Sequence, residues 1–224
     1  MSIVQVFVRS AADNSLTKVS PDNLSRDKFC TFSFVARKEF ALGKDGTRKT
    51  LLVIDANDIN PAATTKVLKW VANNNITMPT EMTVEALEVE EFDQAVYVYQ
   101  ASRTLGISRF LRGESFPHHI YNYIKQSPLR ADEFAMVLEL LPFDIGMCKT
   151  AKHCTLYSCT KYGVASVPDM VGIATYCEEN GFWDEMEAIT KQIQECMANQ
   201  KVEDEKVAAT VKTVRFESNF PTLG

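Results

Sequence analysis

Glycine and histidine are scarce in this chain, with 9 and 3 among its 224 residues. Active-site loops draw heavily on both, so the material for them is thin. No Gly-x(4)-Gly-Lys-Ser/Thr phosphate loop occurs. The nearest stretch, Gly43-Lys44-Asp45-Gly46, reads as an exposed turn. The Gly-x-Ser-x-Gly nucleophile elbow is missing as well. Positive charge is in deficit, at 24 Lys and Arg against 29 Asp and Glu, a net of −5. That balance argues against direct nucleic-acid binding, which needs clustered positive charge. No apolar run approaches the roughly 20 residues of a membrane span. Residues 1–9 lack the basic start and long apolar stretch of a secretory signal. The expected setting is intracellular, cytoplasmic or nuclear, away from membranes.

What is present reads as ordinary globular material. The chain is 46% hydrophobic, 24% charged and 10% aromatic, and long enough to bury a sizeable core. One domain with a helical extension, or two small domains, fits the length. Six cysteines stand at Cys30, Cys148, Cys154, Cys159, Cys177 and Cys196. In a reducing compartment they are expected as free thiols.

The opening Ile3-Val4-Gln5-Val6-Phe7-Val8 is β-branched and aromatic and reads as a strand, with residues 16–19 returning as a second. Ser20-Pro21 has the form of a helix start, Ser20 capping and Pro21 at the first helical position. Residues 26–42 carry two periods at once. Cys30 to Phe34 alternates like a strand, while Phe29, Phe32, Ala36 and Phe40 keep helical spacing. The helix formers at residues 36–39 tip the reading to helix. Leu51-Leu52-Val53-Ile54 is a short buried strand. Asn60-Pro61 then opens a helix carrying Val67, Leu68, Trp70 and Val71, which stops at Asn73-Asn74-Asn75. Thr83 starts a brief helical turn. Residues 91–105 form a strongly patterned helix closed by Gly106. Helical segments follow at 107–113, 116–126, 131–141, 146–162, 167–179 and 182–200, punctuated by prolines. Residues 202–224 read as a polar C-terminal tail.

Candidate chemistry is sparse. Cys148, His153, Cys154 and Cys159 are the one cluster that could serve a thiol-dependent enzyme or a metal protein. Their spacings of six and five miss the Cys-x(2-4)-Cys pattern of structural zinc. Adjacent His153 and Cys154 do not face each other on a helix. No metal and no cofactor is expected. His118-His119 follow Phe116-Pro117 at a helix start and read as polar end residues. The carboxylates Glu88, Glu90, Glu91 and Asp93 sit where a helix N-terminus favours negative charge. The aromatics are the richer pattern. Tyr97, Tyr99, Tyr121 and Tyr123 read either as core and helix-packing surface or as a docking groove, since interfaces favour Tyr, Trp and Met.

One longer arrangement carries a resemblance. It runs from the strand at 51–54 through Asn60-Pro61 and Leu68-Lys69-Trp70-Val71. After a spacer of about twenty residues comes the helix from Phe92 to Leu105, with Tyr99, Ala101, Leu105, Gly106, Ile107 and Leu111. This resembles the second half of a BTB/POZ domain, in the divergent single-domain form found in fungal proteins. Residues 4–8 and 16–19 match that family's strand pair, and residues 21–40 its helical hairpin. The resemblance covers residues 3–124. It implies an α+β fold: a small BTB/POZ-like sheet with helices over residues 1–125, an all-helical extension over 126–201, and the tail. It further implies a non-enzymatic adaptor or scaffold that recruits a protein partner, homodimerises, or joins cullin-ligase or chromatin complexes. A second likeness lies in Asn219-Phe220-Pro221-Thr222-Leu223-Gly224, which resembles Phe-Pro-x-Leu-Gly motifs in the tails of RNA-fate factors. Phe220 and Leu223 around the stiff Pro221 would make a low-entropy peptide ligand, so these three residues are the candidate partner-binding set.

Overall fold

The computed structural model describes residues 2–41, 49–55, 59–77, 82–83, 85–107 and 116–218, with side chains as far as 208. Two compact units result. Unit 1 is Met1–Ser127 with Glu133–Cys148, and unit 2 is Pro128–Asp132 with Lys149–Gly224.

Unit 1 is built on a three-stranded mixed sheet of order β2-β1-β3. Strand β1 (Gln5–Arg9) is central. Val4, Val6 and Val8 are fully buried and Gln5 and Arg9 exposed, the period-two pattern of a half-buried strand. Strand β2 (Leu16–Lys18) runs antiparallel to it, with Phe7 opposite Lys18 and Arg9 opposite Leu16. Strand β3 (Leu51–Asp55) runs parallel to β1, from Gln5 opposite Leu51 to Arg9 opposite Asp55. A parallel return needs a crossover. Here it includes α1 (Arg26–Phe32) and α2 (Phe34–Glu39).

The crossover resolves the two periods seen in residues 26–42. Helix is the outcome, broken in two at Ser33, whose backbone is extended at φ −117° and ψ 125°. The Ser33 hydroxyl accepts from the Ala36 amide and so caps α2, and it donates to the Leu105 carbonyl. The expected helix start at Ser20-Pro21 is a different structure. Pro21 opens a turn, and the Ser20 hydroxyl accepts from the Val6 amide at 3.0 Å. The helix begins five residues later, where Ser25 caps α1 through the Lys28 amide. A serine hydroxyl can cap a helix or satisfy a strand amide, and here the neighbouring strand has the claim on Ser20.

Helix α3 (Pro61–Asn73) starts as its sequence requires, with Asn60 Oδ1 accepting from the Ala63 amide. A 3-10 turn at Glu85–Leu87 precedes α4 (Phe92–Thr104). Gly106 ends α4 at φ +68°, and its N–H donates to the Arg103 carbonyl. The backbone of L residues rarely enters this left-handed region, so glycine is the fitting residue. Then come α5 (Phe116–Gln126) and α6 (Ala131–Leu140). Phe29, Phe32, Phe40, Phe116 and Phe134 fill the core of unit 1 beside Leu24, Leu68 and Ile120.

Helix α7 (Ile145–Tyr162) begins in unit 1 and ends in unit 2. Unit 2 continues with a 3-10 turn at Val164–Ser166, then α8 (Met170–Glu179) capped by Asp169, and α9 (Trp183–Ser218). Residues 202–218, read from the sequence as part of a polar tail, continue α9 as helix. The fold is α+β, a small sheet with helices followed by a helical extension. Among the described residues no helix is long and apolar enough to cross a membrane.

Candidate functional site

In unit 1, a carboxylate at the start of α7 gathers two of the four tyrosines that the sequence brings forward. Asp144 Oδ1 caps α7 through the Met147 amide at 3.0 Å. Tyr99 of α4 donates its hydroxyl to Asp144 Oδ2 at 2.9 Å, and Tyr121 of α5 donates to Oδ1 at 3.3 Å. Burial raises both phenols above the ordinary tyrosine range, and the Asp144 charge and hydrogen bonds push the same way. The Tyr99 ring meets Phe143 edge-on at 5.5 Å, and the Arg103 guanidinium lies 5.0 Å over that ring. Helical spacing puts Tyr99 and Arg103 one turn apart, which is why one aromatic can serve both. Gly146 completes the arrangement, since a Cβ there would stand 2.7 Å from the Tyr121 hydroxyl. Tyr123 stacks on Phe92 at 4.3 Å and donates to Glu133 at 2.9 Å. Phenols held protonated against carboxylates are locks between helices. Tyr99, Tyr121 and Tyr123 therefore pack unit 1; Tyr99 is buried, while Tyr97, Tyr121 and Tyr123 each keep a partly open face.

Beside α3 runs a cleft of about 450 Å³ lined by Lys66, Lys69, Trp70, Asn73 and Glu88. Lys66 is committed there, donating to the carbonyls of Leu87 at 3.2 Å and Glu88 at 2.9 Å. Trp70 turns inward and meets Phe32 edge-on at 5.4 Å.

The cysteine and histidine cluster is strung along α7. Cys148 and Cys159 are about 16 Å apart on a regular helix. The Cys148 thiol points at the Leu141 carbonyl, 3.4 Å away. The His153 ring stacks on Tyr157 at 6.2 Å. Among the described residues, no three His, Cys, Asp or Glu side chains converge as a metal site requires. His118 and His119 lie in the first turn of α5, the former exposed. Phe220, Pro221 and Leu223 lie outside the described residues.

Unit 2 holds a feature that the sequence reading missed. An apolar groove of about 370 Å³ opens between α8 and α9, floored by Leu156 of α7. Met170, Ile173 and Cys177 line it from α8, and Trp183 and Met186 from α9. Trp183 stands at its mouth, 41% exposed, its indole N–H donating to Glu187 at 3.2 Å. Behind the turn between α8 and α9, the Lys152 side chain is buried. Its ammonium lies 4.0 Å over the Phe182 ring and pairs with Glu185. Burial raises the Cys177 thiol above its ordinary range, which keeps it protonated and unreactive. Trp183, Met170 and Met186 at helix-packing positions were the available clue, but such residues read as core until the neighbouring element is seen to be missing.

No protein-family model, no curated protein and no solved structure matches the chain.

Proposed function

We propose that the protein is a non-enzymatic interaction adaptor, built on a BTB/POZ-like module in unit 1 and extended by the helices of unit 2. The observation that carries this reading is the order of elements in unit 1. A strand pair is followed by a two-helix hairpin at residues 26–39, a strand at 51–55, a helix with Trp70 and a helix closed by Gly106. That succession is the one the resemblance implies; Leu111 and most of the helical segment expected at 107–113 lie outside the described residues. The chemistry of the side chains supports the same reading. Tyr99, Tyr121 and Tyr123 donate to carboxylates, and the α7 thiols and His153 do not converge. The partners in this reading are proteins of a regulatory assembly, of the cullin-ligase, chromatin or RNA-fate kind, with Phe220, Pro221 and Leu223 as a peptide ligand for one of them.

The test is binary binding. Proteins captured on the immobilised chain are purified and titrated singly against it by calorimetry. A stoichiometric complex that survives Cys148→Ser, His153→Ala, Cys154→Ser and Cys159→Ser together is the expected result. A catalytic turnover that those four substitutions abolish would overturn the reading. Deleting residues 1–9 is not a usable control, because it removes β1, the central strand.

A further inference from the structure

The two faces of the unit 1 sheet are both rich in apolar side chains. Val4, Val6, Val8 and Leu52 are buried on one of them. Period-two alternation puts Ile3, Gln5, Phe7 and Arg9 on the other. The register sets Leu51 beside Gln5, Val53 beside Phe7 and Asp55 beside Arg9. On the other side of β1, Lys18 stands beside Phe7 and Leu16 beside Arg9. A sheet face that meets water is normally polar, yet this one carries Ile3, Phe7, Leu16, Leu51 and Val53. Ile3, Leu16 and Leu51 are 46%, 50% and 46% exposed, and Phe7 and Val53 are partly exposed. The β1–β3 pair is also parallel, and parallel strands occur mostly with both faces covered.

The charges on this face select its cover. Arg9 and Asp55 form an ion pair across β1 and β3 at 3.7 Å, with side chains 48% and 63% exposed. They stand at one level, one on each strand. Lys18 pairs with Asp22, so the face has no net charge to draw nucleic acid or anionic lipid. What it does have is one charge of each sign, placed symmetrically about the line between β1 and β3. A two-fold axis along that line, parallel to the strands, lays β1 of one copy over β3 of a second. The rotation keeps each level, so Arg9 comes over the second copy's Asp55, and Asp55 over its Arg9. Phe7 comes over Val53 in the same way, and Leu51 over Gln5. An axis along β1 itself would stack Arg9 on Arg9, like charge on like.

We infer that two copies of this chain stack through the open face of the β2-β1-β3 sheet, strands aligned, with the Arg9 and Asp55 pairs crossed between them. Aligned face-to-face stacking is a standard way for sheets to pack, about 10 Å apart. The contact is isologous and closes as a dimer. A three-stranded sheet offers less area than a standard protein interface, so the dimer is a weak and reversible one. The inference rests on the sheet and its charges, not on the family likeness, and a monomer would leave the adaptor reading untouched.

Sedimentation equilibrium of the full chain, at concentrations up to about 1 mM, tests the stacking. The expected result is a reversible dimer with a dissociation constant on the order of 100 μM. Val53→Glu should raise that constant by about tenfold or more, since it sets an unpaired charge against the second copy's Phe7. Arg9→Glu and Asp55→Arg should each raise it by about tenfold, because each leaves the face with charge of one sign. Mixed in equal amounts, those two variants should form a heterodimer as tight as the wild-type dimer. Their crossed pairs are then complementary again. Circular dichroism melts check that every variant is folded. Should Val53→Glu fail that check, the exposed Arg9 and Asp55 sites carry the test alone. A wild-type chain still monomeric at about 1 mM overturns the proposal. So does a dimer that the folded variants leave unchanged, or a mixture that associates no better than its two components.

Discussion

The two units use their apolar residues differently. All of the largest fully buried side chains belong to unit 1, including five phenylalanines. Its tyrosine hydroxyls meet carboxylates, and its serines cap helices or satisfy strands. Unit 2 has a leaner interior. It buries the lysine side chain of Lys152, while among the described residues each unit leaves one buried polar atom without a hydrogen-bond partner, Arg26 Nε in unit 1 and the Thr155 hydroxyl in unit 2. Both units leave large apolar side chains at the surface, Phe34 and Ile145 in unit 1, Tyr162, Val164, Val171 and Trp183 in unit 2. A unit that encloses its large side chains takes most of its stability from its own core. A unit with a shallow core and an open groove gains more from association, because apolar area still in contact with water is the main driving force left to use.

Core truncation should separate the units most sharply. Phe29→Ala should destabilise unit 1 by about 3–5 kcal/mol, since the ring is fully enclosed and the surrounding sheet and helices cannot collapse onto the space. Ile173→Ala in unit 2 should cost nearer 2 kcal/mol, because its site adjoins an open groove. Denaturant unfolding distinguishes them, with Trp70 reporting unit 1 and Trp183 unit 2, the other tryptophan replaced by Phe in each case. Equal costs would dissolve the contrast.

A smaller effect should come from Gly106→Ala. The backbone there is left-handed at φ +68°, and a Cβ would stand 2.5 Å from the Phe34 ring. Phe34 is exposed and can swing aside, so the backbone strain remains, about 1–2 kcal/mol. The Trp70 transition should shift and the Trp183 transition should not.

The smallest effect is in the alkaline limb of unit 1. Tyr99 has its proton affinity raised in the folded state above the unfolded value near 10. The stabilisation is therefore complete below about pH 10 and is lost as pH rises through the folded value. Unit 1 should weaken above pH 10, and Tyr99→Phe should flatten that decline. At neutral pH the same variant should cost about 1 kcal/mol, the worth of one hydrogen bond. A decline of unchanged slope in the variant would place its origin elsewhere.

Much of the fold was legible because helix boundaries are set by neighbours in the chain. Asn60-Pro61 started α3 and Gly106 ended α4 through bonds within one turn, and the valines of β1 declared their buried face. The sites were less legible. Tyr99 and Tyr121 were visible as a pattern, but nothing local indicated that both would find Asp144, 45 and 23 residues away. Ser20-Pro21 misled for the same reason, since the amide that claims Ser20 is 14 residues earlier.

The sequence by itself determined that this is an acidic α+β chain with a strand-rich start and a helical remainder, because composition, period and capping act over a few residues. Only the tertiary structure decided which serine caps, which tyrosines lock and where apolar side chains are left uncovered. Those outcomes depend on what stands opposite each residue in space. The groove in unit 2 is the plainest case: Met170, Trp183 and Met186 are core residues by spacing, and among the described residues they line a groove between α8 and α9.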